Sequence, residues 1–264
     1  MGLSKVNVAE IMVEPYTIDK NEHLSTALDI IDKQRTRRLV VTNDGALYGV
    51  LTLRKMMKTL GEKRKAIVPP SSLHVSACAV KNFGVVEPDT GVQKAKELIN
   101  EGMEMLVCTD DENIVGCVAP RQVLEAYQQY NKIDGRAEDA MIMPYPVSPK
   151  DRLVHARRVM IDKDVGRLPV LDGGELVGVL TERNVANAMR AFKELVPTHQ
   201  QENRIRLMLV EDTMSRAVVS FKQSETLDEV SKVILEKRFG GAPVMSAADE
   251  LVGMLNRRTI LNTL

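Results

Sequence analysis

One phrase recurs four times, and any fold for this chain has to accommodate every copy: Tyr48-Gly-Val-Leu-Thr-Leu-Arg-Lys, Val115-Gly-Cys-Val-Ala-Pro-Arg-Gln, Val177-Gly-Val-Leu-Thr-Glu-Arg-Asn and Val252-Gly-Met-Leu-Asn-Arg-Arg-Thr. The glycines, at 49, 116, 178 and 253, stand 67, 62 and 75 residues apart. Self-similarity at such a spacing marks a chain built from repeated supersecondary units, and four of them fill all 264 residues.

Each copy has the same neighbours. Shortly upstream lies a second apolar run, Arg38-Leu-Val-Val, Met105-Leu-Val-Cys, Leu168-Pro-Val-Leu or Ala242-Pro-Val-Met, with turn residues such as Asn43-Asp44-Gly45 or Asp172-Gly173-Gly174 between the two. Two β-rich runs around such a turn predict a hairpin. Before the hairpin, Leu24, Ala27, Leu28 and Ile31, and again Leu227, Val230, Val233 and Ile234, fall near the i, i+3, i+4, i+7 spacing of a helix face. After it a second helix is expected, through Met56, Met57 and Leu60 or through Val185, Ala188 and Met189. An extended piece precedes the first helix (Pro15-Tyr-Thr-Ile-Asp, Val85-Val-Glu-Pro-Asp, Pro146-Val-Ser-Pro-Lys, Val218-Val-Ser-Phe-Lys). In three units a short turn ending in Met comes before that: Val8-Ala-Glu-Ile-Met, Ala137-Glu-Asp-Ala-Met and Val210-Glu-Asp-Thr-Met. The second unit opens differently, with Pro69-Pro-Ser-Ser-Leu-His. The predicted repeats are 1–66, 67–132, 133–200 and 201–264. A hinge is expected at Asn131–Arg136, and a connector from Pro197 to Val210.

Composition excludes several function classes. With 36 basic and 36 acidic side chains, the net charge near zero argues against electrostatic capture of nucleic acid or an acidic membrane. Aromatics are 3% with no Trp, too few for stacking platforms along a single strand. No apolar run reaches the 18 residues of a membrane span, and no secretory or myristoylation signal opens the chain. Cys78, Cys108 and Cys117 form no CxxC, two of them lie in apolar strand-like runs, and His23, His74, His155 and His199 are scattered. Buried thiols, no metal site and a reducing cytoplasmic location are therefore expected. The chain contains no phosphate-loop, dinucleotide, zinc-hydrolase or serine-elbow motif, and the four copies share no nucleophile or acid-base pair, so no enzymatic activity is expected.

The recurring phrase nonetheless suits anion binding. A strand that ends at Thr and turns into a helix gathers a hydroxyl and free backbone N–H groups at one place. In repeat three Thr181 can cap while Arg183, Asn184 and Arg167 converge on the same point. In repeat one Thr52 takes that part with Arg54 and Lys55, and Arg35, Arg37 and Arg38 crowd the hairpin entry. Capped helices with solvated arginines explain the same pattern.

These motifs, with Gly-Arg-Leu-Pro-Val at 166–170 and Gly-Val-Leu-Thr-Glu-Arg-Asn at 178–184, make the chain resemble a protein of four tandem cystathionine β-synthase (CBS) domains in two Bateman pairs. By overall plan it is similar to the γ regulatory subunits of AMP-activated protein kinase and to stand-alone prokaryotic CBS proteins. The resemblance implies an α+β fold of β-α-β-β-α repeats, their pairs closing into a pseudo-symmetric disc, with adenosine compounds bound between repeats. It places a ribose-holding hydroxyl and carboxylate in the turn after the phrase, and phosphate-binding basic residues before the hairpin. Carried over, repeat three supplies Thr181 and Arg167, with Asn184 at the carboxylate position, Arg183 beside it, and adenine against Val147 and the Leu168-Pro169-Val170 backbone. Repeat one supplies Thr52, Lys55, Arg37 and Arg38, with Thr17 and Ile18 beside the base; repeat four supplies Asn256, Arg257 and Thr259. The carboxylate itself is missing, for its position holds Lys55, Gln122, Asn184 and Thr259. Asn184 keeps repeat three as the best ribose site, since an amide both accepts and donates. Lys55 favours phosphate, so repeat one either receives a polyphosphate end or is structural, and repeat two, with Glu104, Ala119 and Gln122, reads as degenerate. The implied function is non-catalytic sensing of AMP, ADP or ATP on behalf of an unidentified regulated protein. The alternatives are S-adenosylmethionine as ligand and a ligand-free scaffold or homo-oligomerisation module; neither a membrane nor nucleic acid is an expected partner.

Overall fold

The computed structural model describes residues 2–61, 69–81 and 83–264; the expected boundary at 66/67 lies outside the described residues. Repeat one comprises helix α1 (Val8–Ile11), strand β1 (Thr17–Asp19), helix α2 (Leu24–Lys33), hairpin β2 (Arg38–Asn43) and β3 (Ala46–Thr52), and helix α3 (Leu53–Leu60). Repeat two runs through β4 (Gly84–Val86), α4 (Val92–Asn100), β5 (Leu106–Asp110), β6 (Asn113–Val118) and α5 (Pro120–Tyr130). Repeat three has α6 (Ala137–Ala140), α7 (Leu153–Asp162), β7 (Arg167–Asp172), β8 (Glu175–Thr181) and α8 (Glu182–Leu195). The expected connector then forms a further helix, α9 (Thr198–Arg204), and repeat four follows with β9 (Phe221–Lys222), α10 (Leu227–Glu236), β10 (Gly241–Met245), β11 (Leu251–Asn256) and α11 (Arg257–Leu261). The mixed α/β repeat read from the sequence is thus the observed one.

The hairpins turn where expected, with positive φ at Asp44 and Gly45 and at Gly173 and Gly174, the backbone a tight two-residue loop requires. Registers are equivalent: Val41, Cys108, Val170 and Val244 each face the phrase glycine of their repeat. One difference follows from a single residue type. Val40 N donates to Tyr16 O at 2.9 Å, and β1 pairs with β2 in parallel over three residues. The corresponding Pro169 has no N–H to give. The extended segment of repeat three shrinks to one bridge, Val147 with Val170, leaving β7–β8 two-stranded, and in repeat four, where Pro243 stands at the same register, β9 keeps only two paired residues.

The chain divides into two compact units that interleave the sequence. An odd unit holds Tyr16–Lys81 and Tyr145–Val218, hence the hairpins of repeats one and three; an even unit holds Met1–Pro15, Asn82–Pro144 and Val219–Leu264. In the odd unit Leu24, Ala27, Leu28 and Ile31 are fully buried with Met56, Met57 and Leu60, and the same core takes Leu153, Ala156, Met160, Val185 and Met189. In the even unit Leu227, Val230 and Ile234 pack with Val123, Leu124 and Ile260, while Val233 of the expected stripe is only partly buried and Leu235 is covered instead. The expected hinge is no hinge. Ile133 is buried, its N–H donates to Asp228, and Gly135 O accepts from Leu227 N, so the segment is packed inside the even unit. All three cysteines are buried, as expected, and none of them forms a disulfide among the described residues.

The opening segments are exchanged. Val8–Met12, which opens repeat one, lies on the hairpin of repeat two, with Val13 bridged to Cys117. Residues 69–81, which open repeat two, lie on the hairpin of repeat one, with Val80 bridged to Val50. Repeats three and four trade in the same way through Ser215 with Val179 and Ile142 with Met254. This explains both the phrase glycine and the Met that ends the opening turn. A Cβ on Gly116 would lie 2.5 Å from Met12 Sδ, on Gly253 2.6 Å from Met141 Sδ, and on Gly178 2.6 Å from Met214 Sδ. Repeat two opens without a Met, and in repeat one the Val80 carbonyl fills that space, 2.8 Å from a Cβ on Gly49.

Helix α8 also buries Lys193. Loss of hydration lowers its pKa to about 8, nearby Arg157 pushes the same way, and Cys78 opposes. A lysine whose pKa is depressed on folding binds a proton more readily when unfolded, so stability should rise between about pH 8 and the ordinary lysine range. Thermal melts at pH 8 and pH 10 should show that gain in the wild type and its absence in Lys193→Met.

Candidate functional site

The candidate residues of repeats one and three lie together in the odd unit; those of repeat four belong to the even unit. In repeat three β8 ends at Thr181, which caps α8: Asn184 N donates to Thr181 Oγ1 at 3.2 Å. Thr181 N and Oγ1 both donate to Asn184 Oδ1, at 2.9 and 2.6 Å. The oxygen that was expected to accept from a ribose is therefore engaged in a capping box. What Asn184 still presents is its amide Nδ2, a donor. Arg167 faces Thr181 across the hairpin, and Val147 N donates to Pro169 O at 3.0 Å, so the expected base-side backbone is a continuous buried strip through Leu168 and Val170.

Repeat one is built alike. Thr52 is buried and its Oγ1 accepts from Lys55 N at 3.1 Å, with Arg38 opposite across the hairpin. Lys55 occupies the position of Asn184 and has no carboxylate partner among the described residues. Ile18 is buried in β1 and Thr17 beside it is exposed. The same register corrects one assignment in repeat two: Leu106 faces Val118, so Met105, not Glu104, is the counterpart of Arg167.

The seventh residue of the phrase is an arginine in every copy, and in three of the four it makes a contact that sequence reasoning did not indicate. Arg183 donates to Asp32 at 2.9 Å and to the carbonyls of Ile31 and Thr36, fastening α8 to the C-terminal end of α2. Arg54, its counterpart, reaches the other way and donates to the carbonyl and carboxylate of Asp164 in repeat three. Arg258 repeats the move in the even unit, donating to Met103 O at 2.9 Å. These three guanidiniums tie repeats together. Arg121, the arginine of repeat two, instead donates to Glu125 at 2.7 Å one turn further along its own helix.

Repeat four's candidates are likewise absorbed. Asn256 Oδ1 accepts from the N–H groups of Arg258 and Thr259, Thr259 Oγ1 takes Asn256 N at 2.9 Å, and Arg257 donates to Phe239 O.

Sequence reasoning missed Glu182. It is 3% exposed, accepting from Arg37 Nη2 at 2.5 Å and from Arg54 Nε at 2.6 Å. Burial alone would raise the carboxyl pKa, but the two guanidiniums outweigh it and hold it below the ordinary range. Room for Arg37 comes from Gly166: a Cβ there would stand 3.2 Å from both Arg37 Nη2 and Glu182 Oε2. Leu53 N bonds Arg37 O as Glu182 N bonds Gly166 O, so Gly166 is the counterpart of Arg37, and repeat one's arginine enters space that repeat three leaves empty. No group of three or more His, Cys, Asp and Glu among the described residues is placed to hold a metal ion, and no described helix is long and apolar enough to cross a membrane.

Comparison with known proteins extends the internal repeat beyond this chain. The crystal structure of protein MJ1225 from Methanocaldococcus jannaschii superposes with a TM-score of 0.84 over 98% of this chain and 99% of that one, at 18% identity. A conserved protein from Pyrococcus horikoshii gives 0.63 over the same shares, also at 18%. In sequence, MJ1225 is 22% identical over 268 residues, 93% of each chain. An inosine-5'-monophosphate dehydrogenase of Korarchaeum cryptofilum is 30% identical over 126 residues, which make up 47% of this chain and 23% of that enzyme. The CBS domain model matches residues 8–62, 137–191 and 210–264, taking in the phrase, the hairpin and the capped turn of repeats one, three and four. With more than half of its length so matched, the chain belongs to the CBS domain family.

Proposed function

We propose that this chain is a non-catalytic regulatory protein that binds an adenosine nucleotide, AMP, ADP or ATP, and transmits binding to a partner protein as a change in the packing of its repeats. The observation that carries this reading is the turn of repeat three. There a capped Thr181, the leftover amide of Asn184, Arg167 across the hairpin and the buried Val147 strip survive together, in a member of the CBS domain family. The similar fold of MJ1225, itself proposed as an archaeal homologue of γ-AMPK, supports the same reading. Transmission requires only that the nucleotide bind one packing arrangement more tightly than another.

Calorimetric titration tests it. Adenosine nucleotides should bind the wild type, GTP should not, and Asn184→Ala should weaken binding about tenfold, the loss of one ligand hydrogen bond to a polar group. Asn184→Asp should strengthen it, since the second carboxylate oxygen accepts from ribose hydroxyls where Nδ2 cannot. Absence of binding by any of AMP, ADP, ATP and S-adenosylmethionine would favour the second reading, a scaffold. The capping and tethering that absorb Asn256, Arg257, Thr259 and Arg183 support that alternative.

A further inference from the structure

The arginine pair around Glu182 is unlike the other cross-repeat ties. Arg183 and Arg258 hold main-chain carbonyls at helix ends, and Arg183 adds the half-exposed Asp32. Arg37 and Arg54 instead converge from one repeat on a single buried carboxylate of another, one donor to each oxygen, in space left by Gly166, while a second Arg54 nitrogen, Nη1, holds the carbonyl and carboxylate of the exposed Asp164. Glu182 has no acidic counterpart, for the matching positions are Leu53, Pro120 and Arg257. Two guanidiniums that grip both oxygens of one small anion form a cradle equally suited to a phosphate group. Both arginines keep partial access to solvent, with side chains 30% and 27% exposed, whereas Glu182 beneath them is covered.

We infer that Glu182 is an internal stand-in for a ligand's phosphate: it occupies the Arg37–Arg54 cradle, and a diphosphate or triphosphate group binds there by displacing it. The inference rests on the nucleotide reading for the adenosine end of the ligand, but the cradle itself recognises only the phosphate. Nucleotide polyphosphate and inorganic pyrophosphate share that chemistry. Displacement also gives the site a mechanical output. Glu182 is the first residue of α8, and Arg37 and Arg54 flank the hairpin of repeat one, so exchanging carboxylate for phosphate loosens one tie between repeats one and three.

The test is calorimetry on the full chain with inorganic pyrophosphate, ATP and adenosine, comparing wild type with Glu182→Gln and Glu182→Asp. The amide removes the competing charge, and the shorter aspartate cannot reach both arginines. Each should bind pyrophosphate and ATP at least tenfold more tightly than wild type, with adenosine unchanged, and Arg37→Ala should cancel the gain. Should Glu182→Gln not fold, Glu182→Asp carries the comparison alone. Equal or weaker pyrophosphate binding by the variants overturns the inference, even if wild type binds ATP well. Tighter pyrophosphate binding with no advantage of ATP over pyrophosphate leaves the cradle standing and removes the nucleotide reading.

Discussion

Glu182→Ala should lower the melting temperature by about 10 °C and do so through the odd unit. The substitution leaves Arg37 and Arg54 facing each other without the carboxylate that separates them. Removing one partner of a buried ion pair costs about 3–5 kcal/mol, and the partial exposure of both arginines together with the Arg54–Asp164 tie puts this loss at the low end of that range. At roughly 2–4 °C per kcal/mol for a chain of this size, that is a shift readable by calorimetry. The sign with pH is fixed by the depressed carboxyl pKa. The ion pairs stabilise at neutral pH, and their contribution fades as pH falls below the unfolded glutamate range and through the folded value. The wild type should therefore lose its margin over Glu182→Ala in acid, and a margin that persists undiminished at pH 3 would refute the ion-pair account. Glu182→Gln should cost less, since its amide oxygen still accepts one guanidinium.

Gly49→Ala is the second large effect, and it is instructive because the same change elsewhere in the repeat is milder. At Gly49 the new methyl meets the Val80 carbonyl at 2.8 Å, main chain that is itself bonded both ways to Val50. Relief means breaking the Val50–Val80 bridge, two hydrogen bonds at about 1 kcal/mol each, with overpacking of roughly 1–3 kcal/mol if the segment stays in place. A loss near 3 kcal/mol is expected, together with faster proteolysis within residues 69–81. At Gly178 the nearest obstacle is the sulfur of Met214, the mobile end of an unbranched side chain, and the main-chain carbonyl of Ser215 stands farther off than that of Val80 does at Gly49, 3.1 against 2.8 Å. Gly178→Ala should cost about 1 kcal/mol. Equal losses at the two sites would show that the exchanged segments do not cover the glycines as described.

Much of this was legible in the sequence because it is local. Hairpin turns at Asp44-Gly45 and Gly173-Gly174, the buried stripe of α2 and the caps at Thr52 and Thr181 all follow from short-range pattern and backbone preference. What stayed hidden depends on where one repeat meets another. Nothing within 166–184 indicates that Gly166 makes room for an arginine 129 residues earlier, or that Glu182 is buried by it. The contacts of Arg183 are hidden for the same reason. A guanidinium beside a helix N-terminus has the chemistry of an anion ligand, and only the end of α2 packed against it makes it a carbonyl tether. Asn131–Arg136 looked like a hinge from its polar composition, yet Ile133 within it had a core to enter. The phrase glycine was visible four times over, and its cause was not, since the Met that needs the space arrives from another repeat's opening segment.

That exchange of opening segments has a consequence for how such a chain can change length. Repeats one and two each complete the other's hairpin, as do three and four, so the heritable module is a couple rather than a single repeat. A duplication or truncation that alters the count by one would strand an opening segment without a host and bare a hairpin without its cover. Lineages carrying this arrangement can gain or shed repeats cleanly only in twos.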